Sequence, residues 1–340
     1  MTTTDLYREE SSAGNVYRSS YHDGLEALLK QLQKQADCER TSLHPEIMEN
    51  PDAFRDRIRR HLGWPLTDSR RKGATVKKIY VASDSQADIY RLQLEIQPGI
   101  WMYGILFLQH TDVPCPLVIV QHGGFGTPEL CSSFVDSGNY NDMTRRILKK
   151  GVHVFCPQLF LWHSQLFGDR PYDRRQFDDA LKRVGSSITA IELDGLQQCL
   201  DYLQTLPQVL PERIGMVGLS YGGFYTLLFG ALDIRIRAAM TACFFNDADA
   251  HREFSDCAWF GSRRVFQDAE LAALICPRTL WISVANRDEL FSCETAEKEM
   301  NRLREICGER WKNLCIQVFE GVHEFPKDDA GVDFVVQALV

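Results

Sequence analysis

Residues 213–230 read RIGMVGLSYGGFYTLLFG. An apolar run leads into Gly218, Leu219, Ser220, Tyr221 and Gly222, and then into a segment of helical character. The run over 214–219 predicts a strand. The small residues after it predict a turn sharp enough to lift Ser220 out of a sheet just before a helix begins. Three fixed positions of common residue types recur by chance about 0.1 times in a chain of this length. The meaning of the stretch therefore rests on what surrounds it.

The chain has 340 residues, with 44% hydrophobic and 25% charged content, the composition of an ordinary globular protein. That length allows one large α/β domain with an appendage. Acidic residues outnumber basic ones, 46 to 38, for a net charge of −8. A general role on nucleic acid or another polyanion is not expected from that balance. The eleven cysteines form no C-x-x-C pair and no zinc-like cluster. Several, such as Cys156 and Cys243, sit in apolar runs and suit small buried hydrophobes. Free thiols fit a reducing compartment, so a cytoplasmic location is expected. No signal-peptide core and no membrane-length apolar run is present, and no membrane partner is expected.

The first twenty or so residues are polar and read as frayed. Leu25, Leu28, Leu29 and Leu32 then recur at helical spacing over 24–37, and a second helix is expected over 45–62, ended by Gly63, Trp64 and Pro65. Residues 1–73 form an N-terminal helical extension on this reading, a candidate surface for homo-oligomer formation, and 74–340 form the main domain. Period-two or β-rich runs over 76–82, 89–96 and 101–108 predict antiparallel strands. From Pro116 onward strands and helices alternate. Strands are expected over 117–120, 152–155, 214–219, 236–243, 279–284 and 314–319. Helices are expected over 141–150, 187–206 and 291–306, with a last one after Lys327. Such alternation implies a mostly parallel central sheet with helices on both faces.

A serine hydroxyl is a weak nucleophile unless a base takes its proton and a third group orients that base. In this architecture the acid and the histidine follow the serine, in that order, in loops at later strand ends. Asp288, just past the strand over 279–284, is the expected acid. Glu289 is its near rival, and Asp247 is the candidate one strand earlier. His323, between the last strand and the last helix, is the expected base. The charge that develops on a substrate carbonyl oxygen needs preformed donors. One is expected from the backbone N–H of Tyr221. The other is expected from the loop Gln121-His122-Gly123-Gly124-Phe125-Gly126, with Gly124 first and Phe125 second.

His122-Gly123-Gly124, the elbow over 218–223, Asp288 and Gly321-Val322-His323 together resemble the α/β-hydrolase superfamily, within it the dienelactone hydrolase and acetyl xylan esterase-type branch. The resemblance covers roughly residues 74–340. It implies an α/β-hydrolase fold, a Ser220, Asp288 and His323 triad, and no metal or organic cofactor. It also implies hydrolysis of a small-molecule ester through an acyl-enzyme. One departure is that dienelactone hydrolases proper carry a cysteine nucleophile where this chain has Ser220, which favours an ordinary short-chain or acetyl ester. Two readings compete with an esterase. The first is a serine peptidase or amidase of prolyl-oligopeptidase-like type, although the N-terminal region is too short for the usual propeller. The second is a non-catalytic binding protein on the same fold.

Two segments are expected to wall the substrate pocket, because ligands bind beyond strand carboxyl ends in open α/β sheets. These are 157–164, continuing through a charged stretch to 179, and 244–266. Phe160, Trp162, His163, Phe245 and Trp259 are the candidate substrate-binding side chains. The arginines over 170–175, Arg174 included, read as a solvated loop rather than a carboxylate clamp.

Overall fold

The computed structural model describes residues 7–68, 75–160, 173–247, 255–308 and 311–340. Its centre is a nine-stranded sheet in the order β1-β2-β3-β5-β4-β6-β7-β8-β9. The strands are β1 (Thr75–Ser83), β2 (Ala87–Gln97), β3 (Ile100–Gln109), β4 (Cys115–Gln121), β5 (His153–Pro157), β6 (Val209–Leu219), β7 (Ile236–Ala242), β8 (Thr279–Ala285) and β9 (Leu314–Phe319). β1 to β3 form an antiparallel meander, and β3 pairs antiparallel with β5. The remaining pairs, from β5 and β4 to β9, are parallel.

The helices are α1 (Asn15–Ser42), α2 (His44–Glu49), α3 (Pro51–Leu62), α4 (Pro128–Cys131), α5 (Met143–Leu148), α6 (Arg174–Arg183), α7 (Ile188–Leu203), α8 (Tyr221–Leu232), α9 (Asp268–Ile275), α10 (Cys293–Cys307) and α11 (Ala330–Gln337). Two hydrophobic clusters divide the core between the faces of the sheet. One gathers α3, α7, α8, α9 and α10, and the other gathers α5 and α11. Strands β4, β7 and β8 are buried along most of their length, which is why they read as unbroken apolar runs rather than alternating ones. This is the α/β-hydrolase fold with an N-terminal helical extension. Among the described residues no helix is long and apolar enough to cross a membrane.

The extension differs from the expected one in two places. α1 starts at Asn15, well inside the segment read as frayed, and runs for 28 residues. The helix expected over 45–62 is two helices, broken at Asn50, whose φ is −143° and whose side chain accepts from the N–H of Ala53. Pro51 sterically disfavours a helical residue before it, so Asn50 becomes a cap instead of a link. The foot of α1 is tied down by Arg40, which is buried and donates to Glu270 at 3.0 Å, Asp37 at 2.9 Å and the Arg263 carbonyl at 2.8 Å. Residues 15–32 of the same helix are exposed throughout.

Candidate active site

Ser220 sits between β6 and α8 with φ 58° and ψ −125°, a backbone conformation that an L-residue holds only under constraint. The constraint is close packing of the turn. A Cβ added to Gly218 would fall 2.1 Å from the Gly222 carbonyl oxygen, and one added to Gly222 would fall 2.2 Å from the Gln121 oxygen. The N–H of Ser220 is held by the Ala242 carbonyl at 2.8 Å, which fixes the elbow to the end of β7.

Beyond β8, Asp288 is buried while its neighbour Glu289 is exposed. Asp288 Oδ2 lies 2.8 Å from His323 Nδ1, and its Oδ1 accepts from the N–H groups of Leu290 at 2.9 Å and Phe291 at 3.1 Å. Burial pushes the Asp288 carboxyl upward. The hydrogen bond from His323, the charge on that ring and the two N–H groups outweigh it and hold the carboxyl below its ordinary value. Asp247 lies after β7, its N–H held by the Asn246 side chain at 2.9 Å. The carboxylate that His323 meets is therefore that of Asp288.

The loop carrying His323 is clamped from outside by residues that no motif marked. The Asn139 amide donates to the His323 carbonyl at 3.1 Å, and the Asn139 carbonyl accepts from Phe325 N–H at 2.8 Å. Asn141, at φ 48°, donates to Glu324 and to the Phe325 carbonyl. Cys243 donates its thiol proton to the Glu324 carbonyl at 3.2 Å. Cys243, Asp288 and His323 bring their ligand atoms within 4.8 Å of one another, the one such trio of metal-ligating types among the described residues. Burial, and then the Asp288 charge, push the Cys243 thiol well up and keep it protonated. With Nδ1 of His323 already directed at Asp288, the trio is a hydrogen-bonded pair beside a neutral thiol.

The loop after β4 closes the other side of the elbow. A Cβ on Gly123 would meet Ser220 Cβ at 3.1 Å, and one on Gly124 would lie 4.0 Å from Tyr221 Cβ. The N–H of Gly123 donates to the Tyr140 hydroxyl at 2.9 Å. Phe125 has φ 61° and an exposed ring. His122 is fully buried and built into the scaffold. Its Nδ1 meets the Gly123 carbonyl at 2.8 Å, and its Nε2 accepts from Leu159 N–H at 3.0 Å. Burial lowers its pKa to about 4, so the ring is neutral near neutral pH and ties the β4 loop to the β5 loop.

Arg174 overturns its reading as part of a solvated loop. It opens α6, is 2% exposed, and pairs with Glu192 at 2.9 and 3.0 Å and with Asp256 at 3.1 Å. It also donates to the Phe160 carbonyl at 2.7 Å. Tyr221 donates its hydroxyl to the same Asp256 at 2.7 Å, and Tyr225 donates to Glu192. Of the aromatic candidates, Phe160 borders a cavity of about 610 Å³. Phe245 is buried in the core. Trp259 stacks on Phe224, their centroids 6.2 Å apart. Neither lines that cavity. Trp162 and His163 lie outside the described residues.

Elbow, parallel sheet and a His–Asp pair at the ends of β8 and β9 define a protein of the α/β-hydrolase class. Residues 103–338 match the model of the dienelactone hydrolase family, and the chain belongs to that family. It is 26% identical over 219 residues to YtaP of Bacillus subtilis (strain 168), a provisionally named hydrolase, covering 61% of this chain and 72% of that one. It is 27% identical over 117 residues to a provisionally named carboxymethylenebutenolidase of Synechocystis. That match spans 34% of this chain and less than half, 44%, of the relative. Among solved structures, the glucuronoyl esterase from Solibacter usitatus superposes with a TM-score of 0.65 at 13% identity, covering 86% of this chain and 93% of that one. That likeness is one of fold.

Proposed function

We propose that this protein is a carboxylic ester hydrolase that works through an acyl-enzyme on Ser220. The observation that carries the reading is the 2.8 Å contact of Asp288 with His323 Nδ1, in a protein whose Ser220 stands at positive φ in the elbow. With Nδ1–H donated to the carboxylate, Nε2 is the basic face of the ring.

Ser220 Oγ attacks the ester carbonyl while its proton passes to His323 Nε2, and the carbonyl π electrons move onto oxygen. Asp288 keeps the ring oriented and stabilises the imidazolium. The N–H of Tyr221 opens α8, at the end of a helix where backbone donors and positive partial charge face outward. It receives the oxyanion together with Gly124 or, second, Phe125 of the β4 loop. Collapse of the tetrahedral adduct breaks the bond to the alcohol oxygen, which takes the proton from His323. Water, deprotonated by the same nitrogen, then frees the acid and restores Ser220.

Support comes from the family, and from the seating of both partners in loops at strand ends. The test compares wild type with Ser220→Ala on nitrophenyl esters and with a fluorophosphonate probe. Labelling of Ser220 and loss of nearly all turnover in the variant are expected. Undiminished hydrolysis by Ser220→Ala would sink the mechanism.

A further inference from the structure

The cavity of about 610 Å³ that Phe160 borders is not centred on Ser220. Its walls come from the start of β3 (Trp101, Met102), the loop after β5 (Leu159), α6 (Phe177, Leu181) and α7 (Ile191). The volume suits a ligand group of substantial size. Ile100, Phe160 and Phe177, also on its wall, are large apolar side chains left exposed. Uncovered apolar surface around a concavity marks a binding site more often than chance exposure does.

Glu192, Glu129, Tyr103 and Gln158 on the wall already bond to the protein. Glu192 is held by Arg174, by Tyr225 and by the N–H of Phe160 at 2.6 Å. Glu129 accepts from the Tyr103 hydroxyl at 2.5 Å. Burial and that carboxylate push the Tyr103 phenol up to about 12, so it stays a donor. The Gln158 amide is turned onto His122 Nε2 at 3.1 Å. A sugar ring needs polar partners for each hydroxyl it buries, because an unpaired buried hydroxyl is costly. An alkyl or aryl group needs none.

Position supplies the geometry. β5 lies two places from β6 in the sheet order and β3 lies three places away. At roughly 4.8 Å per strand, the cavity is displaced from the elbow by about 10–14 Å. The loop after β4 spans that gap, with Gly123 against Ser220 at one end and Thr127 on the cavity wall at the other.

We infer that this cavity holds a large apolar group of the substrate, so that the ester cleaved carries an extended alkyl or aryl moiety rather than an acetylated sugar. The inference rests on the ester hydrolase reading above and adds its substrate class.

Two ester series test it with the full-length protein: nitrophenyl esters of increasing acyl length, and acetates of increasing alcohol length, set beside acetylated xylo-oligosaccharides. In one series kcat/KM rises roughly three- to fourfold per methylene until the cavity fills, and the responding series identifies which side of the ester occupies it. Leu181→Trp, which fills the cavity from α6, lowers kcat/KM for the longest good substrate at least tenfold more than for the shortest. Ile191→Phe fills it from α7 and repeats the result if the first variant folds poorly. Octanoate, but not acetate, raises the melting temperature of Ser220→Ala if the acyl side is bound. Octanol does so if the alcohol side is bound. Flat profiles in both series, a preference for acetylated sugar, or an unchanged profile in a folded cavity-filling variant overturns the inference. Activity that survives in Ser220→Ala overturns the underlying reaction instead, so the two failures are distinguishable.

Discussion

The Tyr221 hydroxyl lies 2.7 Å from Asp256 Oδ2, and the same oxygen takes the Arg174 guanidinium at 3.1 Å. The residue next to Ser220 is thus fastened to α6 through Arg174 and to the chain after β7 through Asp256. Burial weakens the hold of Arg174 on its proton, but the adjoining Glu192 charge more than restores it.

Arg174→Met leaves Glu192 and Asp256 buried without their cation, at a cost of about 3–5 kcal/mol of stability. Tyr221→Phe keeps the ring and removes the bond to Asp256, worth about 1.5–3 kcal/mol for a charged acceptor, along with the longer one accepted from Arg174 at 3.4 Å. Chemical denaturation should rank the two in that order. Tyr221→Phe should lower kcat more than it raises KM if the network positions the neighbouring backbone donor. A change in stability alone would assign the network to folding.

Asp288→Asn keeps the shape of the His323 contact but favours the wrong tautomer. A loss of kcat on the order of 10³–10⁴ is expected, while Asp247→Asn stays within about twofold of wild type. Steady-state rates for the pair decide it, and the reverse pattern would move the acid to the end of β7.

Gly222→Ala puts a Cβ 2.2 Å from a backbone oxygen that has no flexible end to yield. The turn must open. Soluble protein with a lowered melting point and no fluorophosphonate labelling is the expected outcome, whereas a fully active variant would show that the elbow is looser than its contacts imply.

His122 supplies a pH dependence whose direction follows from its burial. Its folded pKa of about 4 lies below the ordinary value of 6.5. Between those two values the unfolded chain binds more protons, so stability rises with pH and is lost as pH falls from 6.5 toward 4. The shift corresponds to about 3 kcal/mol at full effect. Urea unfolding of His122→Asn at pH 7 and pH 5 should give a smaller difference than wild type.

β4, β7 and β8 were readable from the amino acids because burial on both faces makes them continuous apolar runs. The turn at Ser220 and the meeting of Asp288 with His323 could be anticipated because each of these residues stands just beyond a predicted strand. Arg174 was not, since its carboxylates lie 18 and 82 residues away and only the fold makes them neighbours. α9 was missed for a different reason. All eight of its residues are buried, so its sequence shows no polar stripe to mark a helix. The start of α1 escaped notice for the opposite reason: its first two turns are exposed, and Val16, Tyr17 and Tyr21 stand there among polar residues. Pro51 was a usable signal for the break at Asn50, yet the helix expected over 45–62 ran straight through it.

α1 is one continuous helix but not one unit of stability. From about Gln33 onward it shares in the cooperativity of the body through Ala36 and the buried Arg40. The stretch before that, with Gly24 in its midst, depends on its own intrinsic helicity, which is marginal for so short a run in water. Heat or mild denaturant should therefore unwind this arm first, leaving the anchored turns and the catalytic body intact, so backbone amides along a single helix would exchange with solvent at two different rates.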